Sequence, residues 1–472
     1  MESTYPSQPP HVIRDGKTPH VMIVGAGLAG LLLAILLDRI NVPYEIYERS
    51  EEIRPLGGVM SLNANILPAF EQLGLLDDLK EVSLPSRDFN ILTGNLEKIA
   101  VFEGDDETFE TIGYHIRLFS RPKLYSLLLS HVPAEKIHLK KKVTSIAHNK
   151  DGATIECSDG TTYHGDILVG ADGAYSSVRQ GLYKLLQDKG QLPESDTKGL
   201  SKCNICMVGT TNPLNPEKYP CLTNSTSLSY QIIGEGTPYT WSSMTVPNNQ
   251  ICWNAVMQLG SDVSESEKFR NSEWGPESNE AMIKEVRDFR VPTGTLGDLI
   301  DATPKEDISR VFLEDKLFET WNHGRVVLIG DACHKLLPSS GQGAVNAMQD
   351  AVILANCIYE LRSVAENDVA EALHDFKEQR YPHVKDQYEA SQMSAKLLYG
   401  QTFFEKILRK VVLNYMPKSI QRKSMTKDLA YRPQASFLPQ APKRGTLNVL
   451  PQKPSKRYQE EQRLAAGTPN AI

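Results

Sequence analysis

The sequence predicts an α/β fold: a Rossmann-type nucleotide-binding domain, an inserted mostly antiparallel sheet domain and a C-terminal helical segment. Three observations carry this. An apolar run enters a GxGxxG turn at residues 20–30. Short apolar runs at strand spacing fill the stretch from about 200 to 310. A second strand–glycine–helix passage occurs late, at 324–359. The expected organisation is a flexible leader (1–18), a first nucleotide-binding part (19–199), a substrate-binding sheet domain (200–310), a second nucleotide-binding part (311–395), a helical segment (396–430) and a disordered tail (431–472).

His20-Val21-Met22-Ile23-Val24 reads as a buried strand, followed by Gly25-Ala26-Gly27-Leu28-Ala29-Gly30 and the helix Leu31 to Ile40. Val42 to Tyr47 is a second strand with Glu48 at its end. This is the dinucleotide fingerprint in its required context. Gly25 makes the turn, Gly27 lets a pyrophosphate touch the backbone, Gly30 packs helix on strand, and Glu48 can accept from ribose hydroxyls. The fingerprint alone does not separate NAD from FAD. No second GxGxxG follows.

Val143 to Ala147 and Ala153 to Cys157 flank Asn149-Lys150-Asp151-Gly152, a β-hairpin signal. Thr161 to Gly165 is a further strand, and Ile167 to Val169 another, ending in Asp172-Gly173. Within the inserted sheet, Cys203 to Val208, Leu228 to Ile233, Tyr239 to Val246 and Ile251 to Met257 read as strands. Asn279 to Phe289 and Thr295 to Ile300 read as helices. Tyr239, Trp241, Met244 and Trp253 are candidate pocket walls, although large apolar residues on strands are more often plain core.

The late passage is Val326 to Ile329, an apolar strand, then Gly330-Asp331-Ala332-Cys333-His334, Pro338 and Gly341-Gln342-Gly343. From Ala344 to Tyr359 apolar residues recur at helical spacing without Gly or Pro. A helix start offers unpaired N–H groups and positive dipole, and glycines there admit an anionic or planar ligand. A further helix runs through Leu373, Phe376 and Arg380 to Pro382. Lys396 to Met425 is basic and amphipathic. It could lie on an anionic membrane, but a helix packed on the body is favoured and membrane contact is not expected. From Tyr431 onward Pro, Gln, Lys and Gly dominate, hence the expected disorder.

The 472 residues carry a formal net charge of -7, which argues against nucleic acid as partner. Seven cysteines give no disulfide framework, and Cys203-Asn204-Ile205-Cys206 has CxxC spacing without a second pair, so no metal site is assigned. The sequon Asn224-Ser225-Thr226 has no secretory signal before it, and no apolar run is long enough to cross a bilayer. A reducing, cytoplasmic setting is the expectation.

Gly330, Asp331, Ala332, His334, Pro338, Gly341, Gly343, Asp350 and Ala351 match the GDAxHxxxPxxGxG…DA signature, and the stretch resembles class A FAD-dependent monooxygenases. There is one departure. That family often has Asn two residues after the last Gly, where this chain has Val345, with Asn346 one place later. Arg121-Pro122-Lys123-Leu124 through Leu128 resembles the family's RxxLxxxL helix start. Asp172-Gly173 with Arg179 resembles its DG motif, and Leu373-x-x-Phe376-x-x-x-Arg380-Tyr381-Pro382 its next helix. The loop Arg54 to Val59 could run beside a flavin ring.

The resemblance implies FAD held by Gly25, Gly27, Gly30, Glu48, Gly58, Arg121, Val143, Asp172, Asp331, Pro338, Gly343 and Ala344. Val143 would meet adenine through its backbone, Asp331 the ribityl chain, and Pro338 would border the reacting face of the ring. The N–H groups of Gly343 and Ala344 would stabilise charge on the reduced ring. It further implies NADPH or NADH as transient co-substrate, O2, a small organic substrate, and hydroxylation or epoxidation of an electron-rich arene or alkene through a flavin C4a-hydroperoxide. No catalytic base is assigned. His115 and Arg117 could point to the pocket, and His334 is read as structural. A flavin dehydrogenase or reductase uses the same cradle, and prenylation escort proteins keep such a fold without catalysis. A halogenase is disfavoured because WxWxIP is absent: Trp241, Trp253, Trp274 and Trp321 stand alone. Oligomeric state is left open.

Overall fold

The computed structural model describes residues 17–53, 57–104, 106–259, 279–400, 402–415 and 417–465. Most of the expected leader, the Arg54-Pro55-Leu56 part of the glycine loop, Trp274 and the last seven residues lie outside them.

Three layers meet around the amino-terminal strand. Val21–Val24 is apolar throughout and buried throughout, as a central strand must be. It pairs in parallel with Tyr44–Tyr47 on one side and Ile167–Gly170 on the other. The sheet continues through Val326–Leu328 and Asn322–His323 at one edge and Ile137–His138 at the other, giving six strands. Val21–Val24 and Val326–Leu328, from opposite ends of the chain, thus flank Ile167–Gly170 in one sheet, which is why two glycine-bearing strand ends can face one groove. The helix Leu28–Arg39 is buried from Leu28 to Leu37 because the sheet covers one side and the helix Gly343–Tyr359 another. A hairpin of Val143–Asn149 and Gly152–Cys157, extended by Thr162–Gly165, forms a separate three-stranded sheet.

The large sheet has ten strands and is wider than the sequence suggested. Ser201–Thr210, Ser227–Ile233, Tyr239–Val246 and Gln250–Gln258 form as expected. Four more come from the first part of the chain: Val59–Leu62, Leu84–Thr93, Lys98–Glu103 and Ile116–Ser120. Ser309–Leu317 and His334–Lys335 complete it. The boundary expected at 310 therefore falls inside a strand. Its pairings are antiparallel except one, Ser227–Ile233 beside Leu84–Thr93. One face carries Ile205, Met207, Ile232, Trp241, Ile251 and Trp253 into a core with the helices Glu280–Val286 and Leu296–Asp301. The other face meets the nucleotide-binding part.

Two expectations for the C-terminal part are corrected. The helix expected to stop at Pro382 runs as Glu366–Tyr399. Pro382 and Glu378 both lie on its exposed side, so the carbonyl that proline leaves without a donor can reach water, while Phe376, Arg380, Val384 and Ser391 anchor the other side. The segment expected to be disordered is laid on the body. Phe437 is fully buried against Tyr359, Gln72 bonds to Ala435, and Lys456–Ala465 is helical. Polar composition hid a few anchoring side chains. Helices Phe403–Tyr415 and Lys418–Leu429 lie between. Among the described residues no helix is long and apolar enough to cross a membrane.

Candidate functional site

The strand ends of the six-stranded sheet converge on one groove. Gly25 has φ +105°, and a Cβ there would stand 2.5 Å from the Ala171 carbonyl oxygen. At Gly30 it would stand 2.2 Å from the carbonyl oxygen of Gly25. Both glycines are thus required by packing of the protein on itself. Gly27 differs, because a Cβ there would come no nearer than 3.9 Å to Ala171. At Gly173 and Gly343 it would meet nothing within 4 Å. Gly173 has φ +81°, which itself favours glycine, so Gly27 and Gly343, from separate parts of the chain, are the two that keep backbone bare where neither crowding nor conformation demands it. A narrow, backbone-lined cradle of this kind fits a dinucleotide.

Glu48 sits at the end of Tyr44–Tyr47. Its Oε2 accepts from Ala26 N at 2.9 Å and its Oε1 from Ser50 N at 2.9 Å, bracing the glycine turn. Lys141 N donates to the Glu48 carbonyl at 2.8 Å, which sets Val143, buried at the start of the hairpin, close to this end. Tyr125, from the helix Arg121–Leu129, donates to the Ala26 carbonyl at 2.7 Å. Arg121 is exposed, its N–H bonds the Gly58 carbonyl at 2.9 Å, and its side chain packs against Gly57. Gly58 in turn approaches Val208 on the large sheet, where an added Cβ would be 3.3 Å away.

Asp172 caps the helix Ser177–Asp188. Its Oδ2 accepts from Ser177 N at 2.7 Å and Val178 N at 3.2 Å. Its Oδ1 is buried without a partner. Burial pushes its carboxyl up despite those bonds. Arg179, on the same helix, bonds the Ala332 carbonyl at 2.8 Å and lies 4.2 Å from the Phe318 ring, fastening this turn to the late one.

In that late turn Gly330 has φ +61° and abuts Ala29 and Ala347, so the two glycine-opened helices begin side by side. Asp331 is about a third exposed, at 34%. Burial opposes its charge, but Lys335, which bonds it, and Arg121 outweigh that and hold the carboxyl below the ordinary range. Pro338–Ser340 forms a short 3-10 turn, Gly341 follows at φ +66°, and the helix opens at Gly343. Gln342, before that opening, accepts from Asn65 at 3.0 Å.

Beneath the turn lies a buried ionic group. Asp350 Oδ2 accepts from Gly330 N at 2.8 Å and from His334 Nε2 at 2.6 Å, and Oδ1 from Arg380 Nε at 2.7 Å. Arg380 also bonds Asn346 Oδ1 at 2.9 Å. The displaced Asn346 is therefore turned inward and buried, away from the groove. Cys333, His334 and Asp350 have ligand atoms within 4.8 Å of one another, but both Asp350 oxygens are already occupied.

The structure joins Gly25, Gly27, Gly30, Glu48 and Asp172 at the strand ends and sets Gly58 against Arg121, while Asp331, Pro338, Gly343 and Ala344 follow one another in the late turn and Val143 stands at the hairpin start. His115 and Arg117 do not join them. His115 stacks on Phe109 at 4.0 Å, and Arg117 clamps Ser83 and Lys80. Trp241 and Trp253 face the far core, bonded to Arg290 and Thr303. Tyr239 bonds Glu285 there. Met244 alternates to the opposite face. That face, which meets Gly58 and Leu337, carries Cys206, Val208 and Val256. It also carries buried polar residues that sequence reading missed: Asn204, Ser229, Gln231, Thr240 and Ser242. Asn204 Oδ1, Ser229 Oγ and Thr240 Oγ1 have no partner. Only their alternation with Trp241 and Ile232 could have revealed them.

A family model described as FAD binding domain matches residues 18–197 and 270–391. The chain is 28% identical over 397 residues to the FAD-dependent monooxygenase ptmM of Penicillium ochrochloron, covering 79% of this chain and 87% of that protein. It is 28% identical over 447 residues to the FAD-dependent monooxygenase penE of Penicillium thymicola, covering 90% and 88%. Among solved structures, Klebsiella pneumoniae HpxO complexed with FAD and uric acid superposes with a TM-score of 0.70 at 21% identity, covering 88% of this chain and 97% of that one.

Proposed function

Because the chain belongs to the FAD-binding domain family, we propose that its groove holds FAD and that it is an FAD-dependent monooxygenase. The carrying observation is the pair of bare backbone positions at the two helix starts, Gly27 and Gly343, with the carboxylates Glu48, Asp172 and Asp331 at the neighbouring strand ends. Bound there, FAD supplies two-electron transfer and oxygen activation, with NADPH or NADH as reductant.

The chain's own residues bind and orient. Gly25 to Gly30 present the helix start to the pyrophosphate. Glu48, with lone pairs beyond those used by Ala26 and Ser50, receives the adenosine ribose hydroxyls, and Val143 borders the adenine. Asp331, kept ionised by Lys335, accepts from the ribityl hydroxyls. Asp172 would border the pyrophosphate, and Arg121 and Gly58 would lie beside the ring. The first N–H groups of Gly343–Tyr359, unpaired at a helix start, would stabilise the negative charge of the reduced ring. Pro338 would border the reacting face of the ring, and the large sheet, which Leu337 meets beside Cys206 and Val256, would shield that side from water.

The substrate is a small organic molecule with an electron-rich arene or alkene. A cytoplasmic setting accords with the free thiols of Cys157, Cys206, Cys252 and Cys333.

Purified protein tests this directly. It should be yellow with oxidised-flavin absorption, and a suitable prenylated or simple aromatic should stimulate coupled NAD(P)H and O2 consumption, with label from ¹⁸O2 in the product. A colourless protein that does not take up added FAD would overturn the proposal. Flavin reduction without oxygen incorporation would reassign it as a reductase.

A further inference from the structure

The helix Phe403–Tyr415 turns its apolar stripe outward. Phe404, Ile407, Leu408 and Val411 follow the spacing of one helix face, and they are 80%, 46%, 37% and 51% exposed. Arg409, on the other side, is buried and donates to the Leu397 carbonyl at 3.2 Å. The helix packs on the body as expected, but through an arginine with its aliphatic side to solvent, which reverses the usual arrangement. Lys406 and Lys410 are exposed along it. From Lys396 to Lys427 the sequence has eight lysines and arginines against the single acid Glu405, in a chain whose total charge is -7. Exposed apolar residues continue on the helices before and after, at Met393 and Ile420.

We propose that this helix seats the protein on an anionic lipid surface, its stripe at the acyl boundary and its lysines among the headgroups. Lysine stems can lie along apolar surface while their charges reach phosphate. A basic segment on an otherwise acidic protein also orients it toward anionic lipid. A second copy is a poorer occupant, because a two-fold interface would set this positive segment against itself. A helix-binding groove of another protein would cover one stripe and leave Met393 and Ile420 outside. The contact does not depend on flavin chemistry.

The flavin-loaded full chain should cosediment with phosphatidylcholine vesicles containing phosphatidylserine, roughly tenfold or more above phosphatidylcholine alone at low salt, and the difference should shrink in high salt. Ile407→Glu with Val411→Glu should abolish both kinds of binding. Lys406→Glu with Lys410→Glu should remove only the phosphatidylserine-dependent part. Unchanged circular dichroism and flavin absorbance would show that these surface variants fold. No cosedimentation of the unaltered chain, or equal binding by Ile407→Glu with Val411→Glu, overturns the proposal. So does light scattering that shows a dimer which this double variant converts to monomer, since the stripe would then belong to a self-interface.

Discussion

Arg380 Nε and Asp350 Oδ1 lie 2.7 Å apart where neither side chain has any solvent exposure. Through Asp350 this pair holds three elements at once: the helix Gly343–Tyr359, the helix Glu366–Tyr399 and the turn at Gly330. Burial disfavours the charge on Asp350, but His334 and Arg380 outweigh it and hold its carboxyl below the ordinary 3.8.

Removing one member of a fully buried pair strands the other. Arg380→Met should therefore cost about 3–5 kcal/mol of stability, read by urea denaturation. Asp350→Asn should cost a similar amount and, because Gly330 N loses its carboxylate partner, also weaken flavin retention. If Arg380→Met matches the unaltered protein in denaturation midpoint, the pair is not a structural clamp.

The glycines separate into two kinds, and substitution should tell them apart. Gly30→Ala drives a Cβ to 2.2 Å from the Gly25 carbonyl oxygen, so the colourless apoprotein itself should melt lower by several degrees. Gly343→Ala places a Cβ in open space at a helix start, so the apoprotein should melt at an unchanged or slightly higher temperature. Its FAD dissociation constant should nonetheless rise, roughly tenfold, measured by quenching of flavin fluorescence. A Gly343→Ala variant with normal FAD affinity would remove that helix start from the cofactor site.

How far the sequence could be read follows from where information is local. The turns at Gly25–Gly30, Asp172–Gly173 and Gly330–Asp331 were legible, because strand, glycine and helix occur within one short window. Asn346, one place later than the family's Asn, bonds Arg380, 34 residues on, and no local signal announces that partner. Pairing of Leu84–Thr93 with Ser227–Ile233 joins segments well over 100 residues apart, and nothing local announces it. The tail was misjudged for a related reason. Its order comes from Tyr431, Arg432 and Phe437 meeting His383, Tyr114 and Tyr359, while its average composition is that of a solvated chain.

His383 stacks on Tyr431 at 3.7 Å, and burial together with Arg380 lowers its pKa to about 4. In the unfolded chain it titrates near its ordinary 6.5. A base whose folded pKa is depressed stabilises the fold above the unfolded value, and that contribution is lost as pH falls from 6.5 toward 4. Allowing for its partial exposure, the loss is on the order of 1–2 kcal/mol. The melting temperature should thus decline over this interval, and His383→Phe should flatten the decline. Identical pH profiles for the two proteins would show that His383 does not set the acid limit.

Phe437 has no exposed surface and sits 5.2 Å from the Tyr359 ring, centroid to centroid. Around it Asn356 bonds Ser436 N and the Gln434 carbonyl, and Gln72 bonds Ala435. The tail thus crosses the back of Gly343–Tyr359, the helix whose other end opens on the groove. Phe437→Ala removes a large buried ring and should cost about 3–5 kcal/mol. Residues after 430 should then become sensitive to limited proteolysis, while the flavin spectrum of surviving folded protein stays unchanged, because Phe437 packs on Tyr359, at the end of the helix opposite Gly343. Proteolysis that cuts the unaltered chain between 431 and 455 as quickly as the variant would contradict the packed tail.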